Sequence, residues 1–199
     1  MTTVQAITSK INKISKGEPF STRAFQKLGS RAAVDKTLSR LVEQGLIKRV
    51  TQGVYVRPKE NRFIGSVTPS INKVVKVIAE SNGETIQVHG AEAANRFQLS
   101  TQTQVQPVYY TSGSSRSFLV GSLKVTMIHA SHRKLQLAGK RSGLALSALW
   151  YLGKEGVTVH AVKKVCSQLK AEELLEFMSA DKPAWMETVL KNASLERIH

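Results

Sequence analysis

Cysteine is almost missing from this chain: Cys166 stands alone among 199 residues. A single thiol excludes an intrachain disulfide and a cysteine-built zinc site, and it agrees with a reducing compartment. Carboxylates are scarce as well. There are 14 Asp/Glu against 29 Lys/Arg, and residues 93–154 contain neither Asp nor Glu. That gap argues against an enzyme on nucleic acid, which would need paired acids converging on a metal. Long apolar runs are absent too; no stretch approaches the roughly 20 residues that span a bilayer. The opening MTTVQAITSKINKIS has no uninterrupted apolar core and no cleavage pattern, so it does not read as a signal peptide. The expectation is a soluble, cytoplasmic, non-enzymatic protein with no cofactor, no metal and no membrane partner.

What the chain does have is positive charge. The net charge of +15 points to a polyanionic partner. The charge is unevenly placed. Residues 1–65 hold 13 Lys/Arg against 4 Asp/Glu, a net of +9. Lys124 to Lys170 holds 9 basic residues against Glu155 alone, while residues 171–199 are net −3. A basic head, a second basic region and an acidic end result.

The head carries the clearest pattern, in SRAAVDKTLSRLVEQGLIKRVTQGVYVRP from Ser30 to Pro58. Ser30 is a helix N-cap type. Val34, Leu38, Leu41 and Val42 recur at helical spacing, leaving Arg31, Lys36, Thr37 and Arg40 off the apolar stripe. Gly45 stops that helix. Leu46-Ile47 and Val54-Tyr55-Val56 read as two short strands around a Thr51-Gln52-Gly53 turn. Upstream, Val4, Ile7, Ile11 and Ile14 mark a first helix ending at Gly17, and Ser21 opens a shorter one through Leu28. Three helices and a basic hairpin are the parts of a winged helix-turn-helix. In that arrangement the second helix of the motif enters the major groove. The residues expected at double-stranded DNA are Arg23 and Lys27 on phosphates, Ser30, Arg31, Lys36, Thr37 and Arg40 at the groove, and Lys48, Arg49 and Gln52 on the wing. Arg57 joins them as a further wing cation.

Beyond residue 62 the pattern alternates. Ile71, Val74, Val75 and Ile78 space a helix stopping at Asn82-Gly83, and residues 85–88 form a strand. A small-residue helix follows from His89 to Phe97, compact enough for close packing. Val108–Thr111 and Ser117–Val120 are expected as a hairpin around GSSR, with Lys124–His129 as a third strand. GSSRS lacks the Gly-Lys-Ser/Thr ending of a phosphate loop. His89 with Glu92 has no accompanying nucleophile or metal ligand, and His129 with His132 has no third ligand. Residues 142–152, 158–169, 171–178 and 183–190 are helical. Cys166 falls on an apolar side, and Trp150, Tyr151 and Trp185 read as core or interface aromatics. The fold class is therefore α+β: a winged helix-turn-helix at 1–62, then a mixed α/β domain at 63–199 with a small antiparallel sheet and a helical C-terminus.

Joined together, LSRLVEQGLIKRVTQGVYVRP and VHGAEAANRFQLSTQTQVQPVYYTSGSSRSFLVG resemble the AbiEi-type antitoxins of type IV toxin–antitoxin systems, in a short-form branch. The likeness runs to about residue 153. It implies a DNA-binding autorepressor on an operator with inverted repeats, which also counters a nucleotidyltransferase-like toxin without requiring a stable complex. The residues it carries over for DNA are Arg31, Lys36, Thr37, Arg40, Lys48, Arg49 and Gln52. The basic region 124–170 has no counterpart in that resemblance. An alternative is an RNA-binding protein that uses this region.

Overall fold

The computed structural model describes residues 2–62, 65–102 and 105–195. The chain divides into two compact units, one of Met1–Glu84 with Ser117–Val125, the other of Thr85–Arg116 with Thr126–His199.

In the first unit, helix α1 (Thr3–Asn12) begins at a reciprocal cap. The Thr2 hydroxyl accepts from the Gln5 N–H at 3.3 Å, and the Gln5 side chain accepts from the Thr2 N–H at 2.9 Å. Strand β1 (Pro19–Ser21) follows, then a 3-10 helix (Thr22–Leu28), helix α2 (Arg31–Glu43) and the strands β2 (Lys48–Thr51) and β3 (Val54–Val56). The sheet order is β1-β3-β2, with β3 in the middle. Ile7, Ile11, Phe25, Val34, Leu38, Leu41 and Ile47 close one core beneath it. This is the inventory and order of a winged helix-turn-helix.

Two details differ from the sequence expectation. Pro19 and Phe20, which lie between the first two expected helices, form a third strand with Ser21, Pro19 opposite Val56 and Phe20 opposite Tyr55. Proline is tolerated because it starts an edge strand and owes no ladder donor there. Leu46-Ile47 is not a strand. Both of its N–H groups donate to the Leu41 carbonyl, closing the end of α2, and buried Ile47 plugs the core. The strand starts two residues later, at Lys48, and so includes Lys48 and Arg49.

A two-rung ladder of β4 (Glu60–Asn61) and β5 (Gly65–Ser66) leads to helix α3 (Ile71–Asn82). Val74, Val75 and Ala79 of α3 are buried, and the helix packs on β1. A Lys73–Glu18 ion pair joins the same two segments. The compact unit therefore continues past residue 62, where the sequence reading drew its boundary, through α3 to Glu84.

The rest of the chain forms β6 (Ile86–Val88), α4 (Gly90–Arg96), β7 (Val108–Thr111), β8 (Arg116–Val120), β9 (Leu123–His129), α5 (Arg141–Gly156), α6 (Val159–Cys166), α7 (Ala171–Ser179) and α8 (Ala184–Leu195). The sheet order is β6-β7-β9-β8. Strand β7 is antiparallel to β6 and parallel to β9, with Tyr109 opposite Met127. The expected β7–β8 hairpin is thus replaced: β9 lies between those strands. Val125 and Met127 of β9 are fully buried; in β8 Val120 is buried, while Ser117 and Leu119 face solvent. Strand β8 takes the edge of the sheet, where one side of its ladder stays unpaired.

Helices α4 and α5 touch through small residues. A Cβ on Gly90 would lie 2.4 Å from Tyr151 Cβ and 2.6 Å from the Ser147 carbonyl oxygen. Ala93, Ala94, Ala145 and Ala148 are fully buried in the same layer, and Phe177, Met186 and Leu190 close it from α7 and α8. Buried Lys182 ends α7 by donating to the carbonyls of Phe177 and Met178, each at 2.8 Å. Burial lowers its pKa from the ordinary lysine value. Among the described residues, no helix is long and apolar enough to cross a membrane.

Two outcomes are expected. Gly143→Ala would place a methyl 2.1 Å from the Leu137 carbonyl oxygen, whereas Gly156→Ala meets Leu152 at 3.4 Å. In urea unfolding the first should lose about 1–3 kcal/mol and the second almost nothing; equal midpoints would refute the packing argument. Glu176 accepts from Lys140 and from the Ser142 hydroxyl at 2.8 Å, and these bonds hold its carboxyl below the usual value of 4.5. A depressed folded pKa gives stability that is present above the unfolded value and is lost as pH falls through the folded one. Glu176→Gln should therefore flatten the decline in stability below pH 4.5, measured as the urea midpoint against pH. An unchanged acid slope would show that Glu176 is not the linked group.

Candidate nucleic-acid interface

The phase of α2 decides which of its side chains meet solvent. Val34, Thr37, Leu38 and Leu41 are buried, an i, i+3, i+4, i+7 face. Arg31, Lys36 and Arg40 are exposed. Thr37, expected at the groove, is instead turned inward. It is 4% exposed, and its hydroxyl donates to the Ala33 carbonyl at 2.7 Å. Position 37 shares the helical face of Val34 and Leu41, and a threonine methyl suits that face once the hydroxyl is bonded within the helix. Ser30 is exposed, and its hydroxyl accepts from the Ala33 N–H at 3.3 Å, so it holds the start of α2.

The wing is a short hairpin. Lys48 pairs with Val56, Arg49 with Tyr55 and Thr51 with Val54, with the register shifting between Arg49 and Thr51. Only Gln52-Gly53 turns the chain, with φ of +72° at Gly53, which glycine adopts without strain. The Gly53 carbonyl accepts from the Thr22 N–H at 3.0 Å and from the Thr22 hydroxyl at 3.3 Å. These bonds tie the wing tip to the first turn of the 3-10 helix and fix its position beside α2.

Between these elements runs a groove of about 610 Å³, whose lining includes Arg23, Gln26, Arg31, Asp35, Arg49 and Gln52. Ser81 and Asn82 of α3 complete its rim. The sequence reading missed Gln26, Asp35 and this rim. Asp35 was legible from its i+4 spacing to Arg31, with which it forms an exposed pair at 3.8 Å. Ser81 and Asn82 carried no such signal, because α3 reaches the groove only through the tertiary fold.

The cations fall into two groups. Arg23 donates to the Ser81 carbonyl and so holds the last turn of α3. Arg57, expected on the wing, donates to the carbonyls of Asn12 and Ile14, each at 2.8 Å, and caps α1. Lys10 donates to the Ala24 carbonyl at 2.7 Å and lies over the Phe25 ring. These three satisfy backbone acceptors that a helix end or turn leaves open. Lys27, Lys36, Arg40, Lys48 and Arg49 are exposed and have no side-chain partner among the described residues.

His89 and Glu92 do not act together. The His89 Nδ1 accepts from the Ala91 N–H at 3.3 Å, while Glu92 pairs with Arg96 at 2.9 Å.

The chain belongs to the family described as "Family of unknown function (DUF6088)", whose model matches residues 6–177. No curated protein matches it.

The division of the cations is directly measurable. Arg57→Ala should lower unfolding free energy by about 1–3 kcal/mol, because the Asn12 and Ile14 carbonyls at and just past the end of α1 lose a charged donor. Lys36→Ala should stay within about 0.5 kcal/mol of wild type. Equal effects would mean that the two cations do not differ in structural role.

Proposed function

We propose that this family member binds double-stranded DNA through α2 and its wing and acts as a transcriptional repressor of its own operon. The observation that carries the reading is the set of exposed cations without side-chain partners among the described residues, Lys27, Lys36, Arg40, Lys48 and Arg49, on the 3-10 helix, α2 and β2, of which Arg49 lines the groove together with Arg31. In a helix-turn-helix the first helix of the motif and the wing take phosphates, while the outward face of the second reads bases. Arg31 lies at the N-terminal end of α2 with a side chain 95% exposed. Its weak pairing to Asp35 releases the guanidinium at little cost, and its fork fits guanine O6 and N7. Lys27, Lys48, Arg49 and Gln52 then serve the DNA backbone.

The resemblance to AbiEi-type antitoxins supports a wider role. In this reading the protein is a cytoplasmic, non-enzymatic antitoxin that represses from inverted repeats and counters a nucleotidyltransferase-like toxin. Two-fold operator symmetry would require two copies of the winged helix on each site.

Gel shifts test the repressor. A promoter-derived duplex should bind roughly 10³-fold more tightly than a scrambled one at physiological salt; equal binding ends the proposal. Arg31→Ala should lose about 1–3 kcal/mol of discrimination, whereas Arg49→Ala should weaken all duplexes alike. A changed base preference in Arg49→Ala would move that side chain from phosphate to base. For the antitoxin, co-expression with a neighbouring nucleotidyltransferase-like gene should restore growth; no rescue would leave only the repressor.

A further inference from the structure

The second unit holds a group of aromatic and cationic side chains that the winged helix does not explain. They gather where β7, α4 and α5 meet. The His89 ring lies 4.8 Å from Tyr110 and 5.9 Å from Tyr151. The Lys134 ammonium sits 5.8 Å from the Tyr110 ring and 5.3 Å from the Trp150 ring. Tyr151, expected in the core or an interface, is 39% exposed. Burial, together with the charge of Lys134, lowers the pKa of His89 from 6.5, so at neutral pH it is an uncharged ring.

Core packing accounts for only part of this. Trp150 packs edge-on against Trp185 at 6.3 Å, as an aromatic pair in a helical layer does. Lys134 has no carboxylate partner among the described residues, although its neighbours do: Arg133 pairs with Asp181 and Lys140 with Glu176. An ammonium lying over ring faces, beside an exposed tyrosine, adds little to a core. It is suited to a ligand that brings both a π-face and a negative charge. The surrounding sequence strengthens the point, since Lys124 to Lys170 carries 9 basic residues and one acidic residue.

A nucleic-acid duplex hides its base faces inside the stack, and a single strand exposes them. Aromatic rings beside cations are the recurrent means of holding single strands without sequence preference. We propose that Tyr151, Tyr110, His89 and Lys134 form a binding site for single-stranded nucleic acid, with an unpaired base stacked on Tyr151 and the adjacent phosphate on Lys134. This site does not depend on the duplex reading of the first unit.

Fluorescence anisotropy on the full chain tests it, with labelled oligouridylate and oligothymidylate of about 12 nucleotides as probes. At least one of the two probes should bind with an affinity that falls as salt rises. Tyr151→Leu should weaken binding about 10-fold, and Tyr151→Phe, which keeps the ring, should restore it. Lys134→Met should weaken binding and lower the salt slope by about 0.7. A preference between the probes assigns the ligand to RNA or to DNA, and either assignment supports the site. Absence of binding to both probes at low salt overturns the proposal. So does binding that Tyr151→Leu leaves intact and excess unlabelled duplex abolishes, since the strand would then occupy α2 and the wing.

Discussion

Everything proposed for the first unit depends on the rotational setting of α2. Val34, Thr37, Leu38 and Leu41 point into the core formed with Ile7, Phe25 and Ile47. Rotating the helix by one residue, about 100°, would expose those side chains and bury Arg31 or Lys36 without partners. The apolar stripe therefore orients the cations. The Leu41 carbonyl, which accepts from both Leu46 and Ile47, then sets the angle at which the chain leaves for the wing.

Counting charge overstates the interface. Arg23, Arg57 and Lys10 are as basic as Lys36 or Arg49, yet each is committed to backbone carbonyls at a helix end or turn. A guanidinium or ammonium that satisfies an otherwise open acceptor supports the domain's shape. The surface free to meet an anion is the smaller set on α2, the 3-10 helix and β2. Asp35 and the Ser81–Asn82 rim add polar partners to that groove.

The second unit rests on a different constraint, the close approach of α4 and α5. Gly90 leaves no space for a Cβ against Tyr151 and Ser147, and the buried alanines of α4 and α5 keep the two helices in contact. Tyr151 is placed against Gly90 by that contact and remains half in solvent. Sequence periodicity located these helices correctly. It had no means of separating Trp150, which packs on Trp185 and under Lys134, from Tyr151, which lies beside His89 and is exposed, because adjacent helix residues point about 100° apart toward different surroundings.

The sequence by itself determined the elements whose signals are local. Ser30 and Thr158 cap helices, Gly83 ends one in the left-handed region, and the apolar spacing marks α2, α3 and α5, so the α+β class and the winged helix were legible. Thr37 was also readable, by its place between Val34 and Leu41, had helical phase been weighed above polarity. Only the tertiary structure decided pairings between distant segments: β1 against β3, β9 between β7 and β8, and Arg23 on Ser81. Those choices compare burial among all strands and helices at once. No window of neighbouring residues contains that comparison.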